Sequence, residues 1–364
     1  MNNINFFNGS VMNNVIINGS RITIAGITME IDTIIETAYK KLLAQARERI
    51  MVLEAALNRE FPIEDLVDDH YATEEQGKEM DELIQKVAEK YNLSHIFCFA
   101  RKSNISNDFN AFGDLSPGVA IELHHFLLFI TKGSERVEHE IQDYINNHFK
   151  SFKVTALSHS FENARNAIAQ GNRFFVTAFK GISLYHDKET FLDIEMPKLN
   201  PVNTLEKAER RFHDHIRMAS GFLHSASICI RNEKFFENGV FSLHQAVEQA
   251  CIAIIKVHTG YRIDLHNIAR LLNLCKFISE RPANLFLPGD PESERLFQIL
   301  RDSYGNARYK EDFKIDEADA INILEKVAAF VELAENICLD WINNLRTEIS
   351  HKESNNTEVE LTTE

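Results

Sequence analysis

Between Asp316 and Leu345, apolar residues recur at alternating intervals of four and three: Ala320, Leu324, Val327, Val331, Ala334, Cys338, Trp341 and Leu345. A spacing kept over so many turns specifies an α-helix with one buried stripe, and such a stripe favours an antiparallel bundle. The segments upstream supply partners. One helix is predicted from Asn203, capped by Asn203 with Glu206, and buries Leu205, Ala208, Phe212, Ala219, Phe222, Ala226 and Cys229. A second, about Phe235–His258, repeats Val240, Leu243, Val247, Ala250, Ile254 and Val257; a third holds Ile268, Leu271, Leu272 and Leu274. A loop with Pro282, Pro288, Gly289 and Pro291 precedes a helix over Glu292–Tyr304. Residues 203–349 therefore read as a helical bundle. The polar, acidic tail 350–364 is expected to be disordered.

The first half has a different rhythm. Val15-Ile16-Ile17, Asn18-Gly19 and Ile22-Thr23-Ile24 spell a hairpin with a type I′ turn, so residues 1–31 read as a β-hairpin arm. Residues 32–92 read as helical, with one helix from Asp32 or Thr33 to Asn58 and another from Thr73 to Tyr91. From residue 93 to 190, short apolar runs alternate with helical segments, the pattern of a small α/β sheet. Ile96–Ala100, Phe126–Thr131, Lys153–Leu157 and Phe174–Phe179 are predicted strands; Ser134–His148 and Phe161–Ala169 are predicted helices. Pro197 and Pro201 mark residues 191–202 as a linker.

Charge and cysteine usage narrow the function classes. The net charge of −15 argues against a protein that coats duplex DNA non-specifically, since that binding is driven by counterion release from basic surfaces. Five cysteines with no CxxC pair read as buried thiols of a reduced compartment, with the cytoplasm as the expected location. The start, Met1-Asn2-Asn3-Ile4-Asn5, lacks the basic and apolar regions of a signal peptide. The purely apolar runs, such as Phe126–Ile130, are far shorter than the ~20 residues that span a bilayer.

Three segments carry a family resemblance. Phe235-Phe236-Glu237-Asn238-Gly239-Val240-Phe241-Ser242-Leu243-His244-Gln245-Ala246-Val247-Glu248 gives an aromatic, an apolar stretch, then Gln-Ala-x-Glu. Leu265-His266-Asn267-Ile268-Ala269-Arg270-Leu271-Leu272 gives His-x-Ile-x-x-Leu-Leu, and Tyr304-Gly305-Asn306-Ala307-Arg308-Tyr309-Lys310-Glu311-Asp312 gives Tyr-x-x-x-Arg-Tyr-x-x-Asp. In order and spacing these resemble HEPN domains, specifically those that accompany nucleotidyltransferase modules. The resemblance implies an α+β chain, mostly helical, in which a small mixed-sheet nucleotidyltransferase-like domain precedes an antiparallel HEPN bundle.

It also implies a site. Gln245, Glu248, His266, Tyr304, Arg308, Tyr309, Lys310 and Asp312 are the candidate ligand-binding residues. In that arrangement a base stacks on Tyr309 and a phosphate pairs with Arg308 or Lys310. The competing structural reading makes Gln245, Glu248 and Arg308 a buried polar network that fixes the bundle's register. The expected partners are a nucleotide or single-stranded RNA and a second copy of the chain, with no membrane; no cofactor or metal is expected.

Two catalytic patterns bear on activity. HEPN ribonucleases carry Arg-x4–6-His, but no histidine follows Arg308 at that spacing; Arg210 with His215, Arg217 with His224, and Arg346 with His351 do fit it. Nucleotidyltransferases need Gly-Ser after one strand and Asp-x-Asp on the next, to hold phosphate and magnesium. Here Ala100-Arg101-Lys102-Ser103 and Glu122-Leu123-His124 stand in those places, and Lys153–Leu157 lacks a third carboxylate, although Gly181-Ile182-Ser183-Leu184-Tyr185 keeps the family's closing pattern. The domain therefore reads as a non-catalytic relative. His124 with Glu122 is more economically an outward-facing pair on a strand edge than a metal site, and Arg101, Lys102, Lys150 and Lys153 more economically a solvated basic face.

Overall fold

A computed structural model describes residues 15–18, 21–24, 27–30, 74–108, 118–135, 137–187 and 196–361. Two compact units divide the chain, residues 1–67 and 68–364. In the first, β1 (Val15–Asn18), β2 (Arg21–Ile24) and β3 (Ile27–Glu30) form an antiparallel three-stranded sheet. Asn18 pairs with Arg21, so the two residues between the strands are Gly19 and Ser20, one step later than the predicted Asn18-Gly19 turn. The third strand goes beyond the predicted hairpin. The predicted helix over residues 32–58 lies outside the described residues.

The second unit opens with α1 (Glu74–Lys90) and a mixed sheet. Its strands are β4 (Leu93–Asp108), β5 (Gly118–Thr131), β6 (Lys153–Ser160) and β7 (Ile182–His186), in the order β6-β5-β4-β7. β4 runs antiparallel to β5 and β7; β5 and β6 are parallel, joined by α2 (Glu138–His148). Successive side chains of a strand face opposite ways, and β5 uses both faces. Leu127 and Phe129 pack with Met80, Leu83 and Val87 of α1 and Ile141 and Ile145 of α2. Phe126, Leu128 and Ile130 join the core of the helical half. Each such side chain contributes roughly 1.5–3 kcal/mol by leaving water, so sheet and bundle are held by one continuous core.

Phe174–Phe179, predicted as a strand, is instead the short helix α4 (Arg173–Ala178), which follows α3 (Phe161–Ala169). A short apolar run has no periodicity that separates a strand from a buried helix. The Asn172 side chain decides the matter by accepting the Phe174 N–H at 3.1 Å, an N-cap. The fourth strand falls at β7, just after Gly181. A Cβ at Gly181 would lie 2.9 Å from the Cys98 carbonyl oxygen of β4, so only glycine lets the chain pass so close.

The bundle comprises α5 (Pro201–Arg231), α6 (Phe236–Thr259), α7 (Ile268–Cys275), α8 (Arg281–Phe286), α9 (Pro291–Tyr309) and α10 (Glu317–Leu361). The first helix starts two residues before the predicted Asn203. Asn200 is the cap, accepting the N–H groups of Val202 and Asn203, and Pro201 takes the first helical position, where its missing N–H costs nothing. Pro282 lies within α8, in a stretch predicted as loop. The last helix continues to Leu361, so its backbone is helical over most of the tail predicted to be disordered. Packed between α5 and α10, α6 is the central helix, and it ends at Gly260 with φ of +78°. By length and composition α6 could cross a membrane, but most of it is buried inside the protein.

Candidate functional site

The polar residues of α6 form one flank of a ledge on the bundle. Phe241, His244, Gln245 and Glu248 fall three or four residues apart and so share a side of the helix. Glu248 is 4% exposed and His244 1% exposed, both unusual depths for such groups. One carboxylate oxygen of Glu248 accepts from His266 Nδ1 at 3.1 Å, while the other is buried with no hydrogen-bond partner. Burial pushes the Glu248 carboxyl upward, opposed by His266 and Gln245. His244, whose Nδ1 accepts from the Gln245 side-chain amide at 3.2 Å, is lowered to about 4, first by burial and then by His266 and Arg308.

Tyr304, on α9, is the hub. Its ring stacks with His244 (centroids 5.0 Å apart), His266 (6.0 Å, planes within 8°) and Phe241 (6.3 Å). The Arg308 guanidinium, one turn on, lies 4.1 Å from the Tyr304 centroid and 5.1 Å from that of Tyr309. Arg308 Nε donates to the Tyr304 carbonyl at 2.7 Å, which fixes the side chain back along its own helix. His266 sits just before Asn267, whose side chain caps α7 by accepting the Arg270 N–H.

Gln245, Glu248, His266, Tyr304, Arg308 and Tyr309 are thus brought together. Lys310 and Asp312 are exposed in the turn beyond α9, and among the described contacts neither side chain touches the Tyr304 stack. Phe241 and His244 are members that the sequence reading left out. Their spacing from Gln245 and Glu248 was the available signal, but it equally fits core positions. The arrangement joins an exposed aromatic ring, Tyr309 at 78% exposure, to a held guanidinium and a histidine oriented by a carboxylate.

The three Arg-x4–6-His pairs fare differently. His215 is held by Gln249 at 2.9 Å and Lys256 at 3.0 Å, while Arg210, five residues earlier, points elsewhere around the helix. Arg217 and His224 share an exposed side of α5, and Arg346 is engaged by Glu209 at 2.6 Å. On the sheet, β5 is an interior strand, so His124 is not on the expected edge; it meets Thr155 Oγ1 of β6 at 2.8 Å. Lys102 and Lys153 are not simply solvated either, facing Glu280 at 3.9 Å and Glu122 at 3.4 Å respectively. Among the described residues, no group of three His, Cys, Asp or Glu side chains is placed to hold a metal ion.

The HEPN domain model matches residues 212–337, a span that begins in α5, ends in α10 and contains every member of the Tyr304 cluster. No curated protein matches the chain. Among solved structures, a nucleotidyltransferase-like protein from Exiguobacterium sibiricum is similar at 13% identity and a TM-score of 0.18, covering 71% of this chain and 78% of its own.

Proposed function

We propose that the HEPN domain of this chain binds a nucleotide or single-stranded RNA on the Tyr304 ledge, in a regulatory and non-catalytic role. The observation that carries this reading is the Arg308 guanidinium held between the rings of Tyr304 and Tyr309 with Tyr309 open to solvent. A planar base stacks on such a ring at roughly 1–3 kcal/mol, and the neighbouring guanidinium offers paired N–H donors to a phosphate. In the same reading the sheet is a nucleotidyltransferase-like domain that has lost its metal-binding carboxylates, with Glu122-Leu123-His124 where Asp-x-Asp is needed. The chain pairs with a second copy through bundle helices; Met218 and Ile228 of α5 and the adjacent Phe235 are large apolar side chains left exposed.

One observation favours a second reading, a metal-independent ribonuclease. His266, oriented through Nδ1 by buried Glu248, and Arg308 both pack on Tyr304, which puts a base and a cation on one ledge without the usual sequence spacing. There His266 would take the 2′-hydroxyl proton as the 2′-oxygen bonds to phosphorus and return it to the 5′-oxygen as the P–O5′ bond breaks, while Arg308 offsets charge on the phosphate.

Calorimetric titration of ATP, GTP and a short single-stranded RNA separates these readings, with the RNA run on a gel afterwards. Intact RNA, with binding weakened by about tenfold or more in Arg308→Ala and Tyr309→Ala of unchanged thermal midpoint, is the expected result. Cleaved RNA, abolished in His266→Ala, establishes the ribonuclease. Neither binding nor cleavage sinks both and leaves a scaffold. Sedimentation of the full chain tests the pairing.

A further inference from the structure

A cavity of about 380 Å³ lies between β6, α2 and α7, and is the larger of the two described cavities. Its lining holds three cations, Lys150, Lys153 and Arg270, and no carboxylate, in a chain whose net charge is −15. The amides of Asn146 and Asn273 and the His124 ring stand among them, and the walls include Phe149 and Phe152. Two more lysines, Lys276 and Lys102, are close enough to His124 to disfavour its protonation, and half-buried Lys276 is itself held down by burial and by Lys153, opposed by Glu280 and Glu122. Only part of this charge is matched internally. Arg270 is paired with Glu138 at 2.9 Å, Lys153 approaches Glu122 at 3.4 Å and Lys102 approaches Glu280 at 3.9 Å, whereas the Lys150 ammonium, just past the end of α2, donates to the Asn146 carbonyl of its last turn. A volume of this size suits a small organic ligand, and converging ammonium and amide donors next to aromatic walls suit an anion with an attached flat group.

We propose that this cavity is a binding site for a small phosphorylated anion, with Lys150 and Lys153 at the phosphate, Arg270 and Asn273 supporting it from α7, and Phe149 and Phe152 against any ring the ligand carries. The site needs no metal ion, because ammonium groups supply the positive charge. It stands independently of the ledge, whose aromatic and guanidinium groups are on other elements.

The test is titration of the full chain with pyrophosphate and with ADP, in chelator and at low salt, followed by calorimetry. In the Arg308→Ala/Tyr309→Ala background, which removes the ledge's contribution, both probes are expected still to bind, and adding Lys150→Ala/Lys153→Ala is expected to weaken them about tenfold or more with an unchanged thermal midpoint. Lys150→Arg/Lys153→Arg, which keeps both charges, is expected to retain binding, and exposed Asn273→Asp, which adds a carboxylate, to weaken it. Tighter binding of ADP than of pyrophosphate identifies a nucleotide site; equal binding identifies a site for the phosphates alone. The proposal is overturned if the ledge-silenced background binds neither probe, or if adding the two lysine-to-alanine changes leaves its binding unchanged.

Discussion

The ledge on the bundle and the cavity beside the sheet are each built around a histidine held in its neutral form, and they differ in what surrounds it. His244 and His124 are both lowered to about 4, in each case first by burial. Around His244 the neighbours are the Gln245 amide, the Tyr304 and His266 rings and one arginine, Arg308, and the cluster also holds a carboxylate, Glu248. Around His124 the further causes are all lysines, Lys276, Lys153 and Lys102. A site of mixed charge favours ligands that bind by shape and stacking; a site with surplus positive charge favours an anion. The same residue type, fully buried in one site and half-buried in the other, is thus set by its second neighbours in surroundings suited to two different ligands.

Acid titration is the strongest way to test that the two histidines are alike. Each has a folded-state value of about 4 against an ordinary value of 6.5. The unfolded chain therefore binds more protons between those limits, and the stabilisation present above pH 6.5 is lost as pH falls towards 4. At ~1.4 kcal/mol per unit, each histidine accounts for at most about 3 kcal/mol of that loss. Urea denaturation from pH 7.5 to 4.5 is expected to show a shallower acid decline in both His244→Phe and His124→Phe than in wild type. A decline unchanged by one of them would mean that this histidine titrates normally in the folded protein.

The buried carboxylates sharpen the contrast. Glu138 and Arg270 are 16% and 18% exposed and join α2 to α7 across the sheet–bundle junction, and Glu138 also accepts the Ser158 N–H. Glu138→Gln strands a largely buried guanidinium and is expected to destabilise by about 2 kcal/mol. Glu248 is more deeply buried, yet its partner His266 is 65% exposed and one of its own oxygens has no partner. Because burial raises the Glu248 carboxyl, its ionisation costs stability as pH rises past the unfolded-state value. Glu248→Gln is therefore expected to be neutral or stabilising by up to about 1 kcal/mol at pH 8. Denaturation curves at pH 8 check both, and equal losses would erase the distinction between the sites.

How far the sequence revealed these features follows from which forces are local. The 4-3-4-3 stripe of α10 was legible because helical periodicity is repeated over many turns, and its Ala320, Leu324, Val327, Ala334 and Cys338 are all buried. The identity of α4 was not, since Phe174-Phe175-Val176 fits either structure and only the Asn172 cap and the surrounding core decide. The residues of the ledge were largely legible from motif order. Tyr304 was among them, but its central place was not legible, because the stacking of His244, His266, Phe241 and Arg308 on it joins three elements distant in sequence. The cavity is visible in the sequence only as scattered basic residues: Lys150 and Lys153 lie close together, but Arg270 comes from a helix more than a hundred residues away.

The smallest expected effects lie at the outer limit of the ledge, where Lys310 and Asp312 were candidates by motif alone. Both are exposed past the end of α9, and a single solvated charge is worth about 0–1 kcal/mol. Lys310→Ala and Asp312→Asn are therefore expected to change ATP affinity by less than about fivefold, in opposite directions, with the difference shrinking as salt rises. Titration at low and at high salt checks this against the larger, less salt-sensitive loss expected for Tyr309→Ala, whose ring binds by stacking. A loss in Lys310→Ala that matches Tyr309→Ala and persists at high salt would mean that the ligand lies over the turn, and the ledge would have to be redrawn around Lys310 in place of Tyr304.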